Sequence, residues 1–211
     1  MHAVTDHRPT SVVFDLGAVL IDWDPRYLYR SLFPGDEAGM ERFLAEICTL
    51  DWNHRQDEGR SWADAVALLV AEHPGERERI EAYHRRWPEM LGGPIDGTVT
   101  ILAELRATGT PLYALTNWSA ETWPIAFDRF DFLGWFDGVV VSGAERVAKP
   151  DPAIYRILLE RYRLDPAGTL FIDDRQANVD GARAVGMGAV RFDGPGPLRD
   201  ELVRRGLLPS R

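Results

Sequence analysis

Short apolar runs alternate with amphipathic stretches along much of this chain. Ser11 to Phe14 is a β-branched and aromatic run ending at Asp15, and similar runs recur at Leu112–Leu115, Val139–Val141, Leu170–Ile172 and Ala189–Phe192. Runs of this length and composition predict five short strands. Between the later ones, apolar residues return at helical spacing, as in Ile101, Leu102 and Leu105 before Gly109, and in Ile154, Ile157, Leu158 and Leu159. Strand alternating with helix predicts an α/β fold, a Rossmann-like parallel five-stranded sheet flanked by helices.

The rhythm breaks between about Asp24 and Gly93. Tyr27–Phe33, Met40–Leu50, Trp62–Glu72 and Arg79–Met90 are patterned as amphipathic helices, with no convincing strand among them. A small all-helical insert is expected here, with Asp22-Trp23-Asp24-Pro25 at its exit from the core and Gly92, Gly93 and Pro94 as a hinge on the return. The expected division is residues 1–22 and 94–211 for the α/β core and 23–93 for the insert. The chain holds no internal repeat, low-complexity tract or long charge run.

Composition narrows the function classes. A chain of 211 residues suits one core domain with a modest insert. The net charge of -9 lacks the concentrated positive footprint of a nucleic-acid binder, so no such partner is expected. Cys48 is the only cysteine, which rules out an internal disulfide and makes the cytoplasm the expected location. Met1–Thr10 is polar and broken by Pro9, and no apolar run reaches the length of a membrane helix or signal core. A soluble, unprocessed protein without a membrane partner is expected, as monomer or homodimer. Trp52, Trp62 and Trp87 fall in helix-patterned stretches and are assigned to the core.

The candidate chemistry lies in the polar residues that end the apolar runs, because open parallel sheets bind ligands beyond the carboxyl ends of their strands. The first run ends in Asp15-Leu16-Gly17, the second in Thr116-Asn117 and the fourth in Asp173-Asp174, while Lys149-Pro150-Asp151 follows the third. Singly, each has a structural explanation: Asp15 opens a turn, and Asn117 or Ser119, Asp151 and Asp174 cap the helices that follow. Together they form an ordered set. The spacings, 149 − 116 = 33 and 173 − 149 = 24, each fit one strand and one helix, which puts all four groups at the same sheet edge.

The four stretches resemble the ordered motifs of the haloacid dehalogenase-like superfamily. Val12 to Leu20 resembles its first motif, Leu115-Thr116-Asn117 the second, Val147 to Asp151 the third, and Phe171-Ile172-Asp173-Asp174 the fourth, continued by Arg175-Gln176-Ala177-Asn178 and Gly181 to Gly186. The insert after the first motif is similar to the small cap of the first subclass. The resemblance implies a Mg²⁺-dependent phosphatase acting on a small phosphorylated metabolite, such as a sugar phosphate. Asp15 would be the nucleophile that becomes an aspartyl phosphate. Lys149 would neutralise phosphoryl charge, Thr116 and Asn117 would hold phosphoryl oxygens, and Asp15, Asp173, Asp174 and the Gly17 carbonyl would hold the metal.

One position departs from that pattern. Most phosphatases of the superfamily carry a second aspartate two residues after the nucleophile, where it serves as acid and base, and here that residue is Gly17. General acid–base catalysis contributes about 10² to 10⁴ in rate. Asp-Leu-Gly versions occur in a subgroup resembling glucose-1-phosphate phosphatase. A leaving group that departs unprotonated, or an acid from elsewhere, would fill the gap, with Asp22, Asp24, His54, Asp57 and Glu58 as candidates. For the substrate-facing surface of the cap the expectation is Trp52, His54, Arg55, Gln56 and Trp118, together with Asp22. Two further functions are consistent with the residues: a metal-independent 2-haloacid dehalogenase, which needs no general acid, and a weakly active regulatory protein that binds a phosphometabolite.

Overall fold

The computed structural model describes residues 8–210. Most of Met1–Thr10, on which the expectation about the N-terminus rests, lies outside them.

Strand β1 (Ser11–Phe14) is followed by β2 (Ile21–Trp23) and then by five helices: α1 (Arg26–Leu32), α2 (Glu37–Glu46), α3 (Leu50–Asp57), α4 (Trp62–Glu72) and α5 (Arg77–Arg85). The chain returns through β3 (Leu91–Pro94) to α6 (Asp96–Ala107), β4 (Leu112–Thr116), α7 (Trp123–Arg129), β5 (Gly138–Val141), α8 (Ser142–Glu145) and α9 (Pro152–Tyr162). It ends with β6 (Thr169–Asp173), α10 (Gln176–Ala184), β7 (Gly188–Arg191) and α11 (Pro195–Arg204).

Five strands form one sheet in the order β5-β4-β1-β6-β7, parallel throughout. The strands read as continuous apolar runs because helices cover both faces. Val12, Phe14, Leu170 and Ile172 face one apolar cluster, while Val13, Leu115 and Phe171 face a second with Ile154 and Leu158 of α9 and Val179 of α10. The register pairs Phe14 with both Ala114 and Ile172, so Asp15, one residue past β1, comes level with Leu115 of β4 and Asp173 of β6. The chain moves to β4 on one side of β1 and later to β6 on the other. This reversal opens the crevice where ligands bind in such sheets.

The segment between β2 and β3 is helical, and local chemistry starts several of its helices. The side chains of Asp36, Thr49 and Ser61 accept from the backbone N–H groups of Gly39, Trp52 and Asp64, satisfying donors that a first helical turn leaves unpaired. The expected helix over Met40–Leu50 is two helices, since α2 stops at Glu46 and Thr49 caps a new one. The expected helix over Arg79–Met90 stops at Arg85, and Trp87–Met90, which contains Pro88, forms a 3₁₀ turn. The presumed hinge is itself paired: Ile21 opposes Pro94 and Asp22 opposes Gly93 in an antiparallel ribbon with an irregularity between Asp22 and Trp23. Three or four residues containing Gly-Gly-Pro carry no alternating pattern, which is why the ribbon is not apparent from the sequence.

Candidate active site

Asp15 follows the last residue of β1 and is 7% exposed. Its Oδ1 accepts from the backbone N–H of Leu16 at 2.7 Å and lies 2.9 Å from Lys149 Nζ. Lys149 is buried, and its ammonium donates to Asp173 Oδ2 at 2.7 Å and to the Leu115 carbonyl at 3.0 Å. Its three donors are thus spent on two carboxylates and a carbonyl at the ends of three adjacent strands.

Burial pushes the Asp15 carboxyl up to about 8, Lys149 opposes that rise, and Asp173 adds to it. Burial alone would lower Lys149, but Asp15 and Asp173 hold its ammonium above the ordinary value. At Asp174, which is half-buried, burial and then the charge of Asp173 raise the carboxyl. One ammonium therefore sits among three carboxylates, a local excess of negative charge suited to a cation. Oxygens of Asp15, Asp173 and Asp174 all lie within 4.8 Å of one another.

The other residues singled out in the sequence reach the site in different ways. The Thr116 hydroxyl, at the end of β4, is buried and has no hydrogen-bond partner among the described residues. Asn117 clasps the backbone of Lys149: its Nδ2 donates to the Lys149 carbonyl and its Oδ1 accepts from the Lys149 N–H, both at 2.9 Å. Asp151 is a helix cap, accepting from Ala153 N–H at 2.8 Å. Asn178, to which the sequence reading gave no role, donates to both Asp173 oxygens at 2.9 and 3.0 Å. Its signal is faint, an amide five residues beyond an aspartate and inside a helix.

Asp15 and Lys149 open onto a cavity of about 500 Å³ whose lining also includes Gly17, Asn117, Asp174 and Arg175. The helical segment contributes Leu50, Asn53, His54, Asp57 and Trp62, and Trp118 contributes from the loop after β4. Arg55 is exposed and outside this lining; Asp22, half-buried, is also outside it and accepts from the Tyr27 hydroxyl at 2.5 Å. Gln56 is buried, its amide donating to the Trp52 carbonyl and its carbonyl accepting from Arg60. Trp52 packs edge-on against Trp62 and Tyr83, so the core assignment fits it. Trp62 and Trp87 are buried in the core and also line the cavity.

Residues 10–186 match the family profile described as haloacid dehalogenase-like hydrolase. The sesquiterpene phosphatase AstK of Aspergillus oryzae is 27% identical over 178 residues, covering 84% of this chain and 86% of that protein. Several other curated relatives are longer, and the chain spans 47% of one and 48% of another. Among solved structures, a HAD family enzyme from Bacteroides thetaiotaomicron in complex with magnesium and inorganic phosphate superposes with a TM-score of 0.67 at 23% identity, over 87% of this chain and 94% of that one. L-2-haloacid dehalogenase from Xanthobacter autotrophicus superposes with a TM-score of 0.63 at 22% identity, over 95% and 85% of the two chains. At these identities the two superpositions describe a shared fold.

Proposed function

The chain belongs to the haloacid dehalogenase-like hydrolases, and from that premise we propose that it is a magnesium-dependent phosphatase of small phosphorylated metabolites, working through an aspartyl phosphate on Asp15. The observation that carries this reading is the buried Lys149 ammonium held between Asp15 and Asp173, with Asp174 beside them. A carboxylate meets an anionic phosphoryl group only where positive charge gathers around both. The alternative of a metal-free dehalogenase leaves the third carboxylate without a counter-charge.

The donor set fits magnesium, which prefers carboxylate and carbonyl oxygens and keeps several waters. Asp15, Asp174 and the Gly17 carbonyl would hold it. Asp173 suits another task, because Lys149, Asn178 and the Arg175 N–H already occupy both its oxygens. When bound, the ion supplies charge neutralisation on the phosphoryl oxygens.

Asp15 attacks phosphorus, the bond to the leaving oxygen breaks, and water later releases phosphate from Asp15. Lys149 stabilises charge on the phosphoryl oxygens, and Asp173 and Asn117 hold Lys149 in place by its head and its backbone. The unpartnered Thr116 hydroxyl is suited to a phosphoryl oxygen, as is the remaining amide hydrogen of Asn117. Residues 23–93 act as the cap, closing over the leaving group and limiting water at the reacting centre.

The test is phosphate release from a panel of phosphomonoesters. Turnover with magnesium is expected, lost on chelation, and lowered about 10³-fold or more by Asp15→Asn. Equal release by the two proteins would refute the reading, and chelator-resistant turnover of 2-chloropropionate would favour the dehalogenase.

A further inference from the structure

We propose that Asp57, at the C-terminal end of α3, is the catalytic acid and base that Gly17 cannot supply. This rests on the phosphatase reading above.

Asp57 lines the same cavity as Asp15, Lys149 and Asp174. The chain fixes it there from two directions. Its carboxylate accepts from Asn53 Nδ2, one turn back on α3, at 3.4 Å, and the Ser119 N–H, in the loop that continues from Thr116 and Asn117, favours its charged form. Its own carbonyl accepts from the Ser142 hydroxyl at 2.6 Å, and that hydroxyl accepts from Trp118 N–H at 2.9 Å. A residue that belongs to the helical segment in sequence is thereby held by the loops at the carboxyl ends of β4 and β5.

The environment also suits proton transfer near neutrality. Burial pushes the Asp57 carboxyl up to about 7, against the Ser119 N–H; nearby Glu58 raises it further and Lys149 lowers it. The other titratable groups around it are His54 and Asp51 on its own helix, Tyr83 of α5 and, in the cavity lining, Asp15, Asp174 and Arg175.

The alternative acids are otherwise engaged. Asp22 is bound by Tyr27, Asp24 accepts from the Arg26 backbone N–H and pairs with its guanidinium, and Glu58 is exposed beside His54 at 3.6 Å. His54 shares the cavity lining and serves as the control.

In the first step the Asp15–phosphorus bond forms while the ester P–O bond breaks, and the proton of Asp57 passes to the leaving oxygen to give the alcohol. In the second, the Asp57 carboxylate takes a proton from the water that attacks phosphorus. The Asp15–phosphorus bond then breaks, returning phosphate, the Asp15 carboxylate and protonated Asp57.

A pair of substrates of similar shape tests this: 4-nitrobenzyl phosphate, whose alkoxide needs a proton to leave, and 4-nitrophenyl phosphate, whose phenolate does not. Asp57→Asn keeps the size of the side chain and an acceptor oxygen for Asn53 Nδ2. It is expected to lose about 10² to 10⁴ in turnover of the benzyl ester. With the phenyl ester it should release one equivalent of nitrophenolate rapidly and then stall as a phosphorylated protein, visible by intact mass. A side chain at Gly17 has room, since a Cβ there meets nothing within 4 Å. Gly17→Asp in the Asp57→Asn background is therefore expected to recover benzyl ester turnover about tenfold or more. Wild-type turnover of the benzyl ester by Asp57→Asn would overturn the proposal. So would equal losses on both esters without a burst, or the leaving-group dependence appearing in His54→Gln instead. A wild type that hydrolyses neither these esters nor any other member of the phosphomonoester panel would remove the phosphatase reading and this proposal with it. An active wild type that depends on Asp15 but not on Asp57 would remove the proposal alone.

Discussion

At the end of β6, the buried Asp173 carboxylate is held from three sides: Lys149 Nζ on one oxygen, the Arg175 N–H on the other, and Asn178 Nδ2 on both. A buried charge tolerates such a position only with its hydrogen bonds complete. Asn178→Ala removes two of them and leaves the carboxylate under-satisfied. Stability measured by denaturant should fall by about 1 to 3 kcal/mol. In the same variant kcat should fall more than KM rises, because Lys149 loses its fixed position. Roles of this kind are hard to read from sequence. Asp15 and Asp173 announce themselves at strand ends and Lys149 in the loop before α9, whereas Asn178 matters through a bond that exists only once α10 has packed. Asn117 is the converse case, because a polar residue at a strand end was legible but its grip on the Lys149 backbone was not.

Helix α3 lies between Met40–Leu50 and Trp62–Glu72, the stretches whose periodicity predicts helices, and it contributes Leu50, Asn53, His54 and Asp57 to the cavity lining. Eight residues of mixed polarity give a weak periodic signal, and the start is set by the Thr49 cap rather than by an apolar stripe. The five strands of the sheet were legible because burial on both faces demands uninterrupted apolar runs, while the β2–β3 ribbon carries no such demand. Ser142, at the start of α8, joins α3 to the loop after β4 through its contacts with the Asp57 carbonyl and Trp118 N–H. Ser142→Ala deletes both contacts at a fully buried position. We expect a stability loss of about 1 to 3 kcal/mol and a rise in KM, read by thermal unfolding and steady-state kinetics.

For the whole molecule, the proposed phosphatase activity requires a chain of net charge -9 to receive an anionic ligand. The cavity sets Lys149 and Arg175 among Asp15, Asp51, Asp57 and Asp174, so in the proposed reaction a bound magnesium would supply the remaining positive charge. One apolar cluster runs from Phe14 and Leu20 through Met90 to Trp62 and Tyr83, joining the sheet to the helical segment. The parallel sheet and the convergence of its strand ends were readable in advance, because periodicity and spacing are properties of the chain. The cavity was not, since it arises from the way α3 and α4 lie over those ends. Everything proposed here depends on Asp15 bonding to phosphorus. The direct measurement is acid quenching of the enzyme during turnover of a radiolabelled phosphomonoester, followed by peptide mapping. Magnesium-dependent label on the Asp15 peptide, absent in Asp15→Asn, is the expected result, whereas steady phosphate release with no label on Asp15 would contradict it.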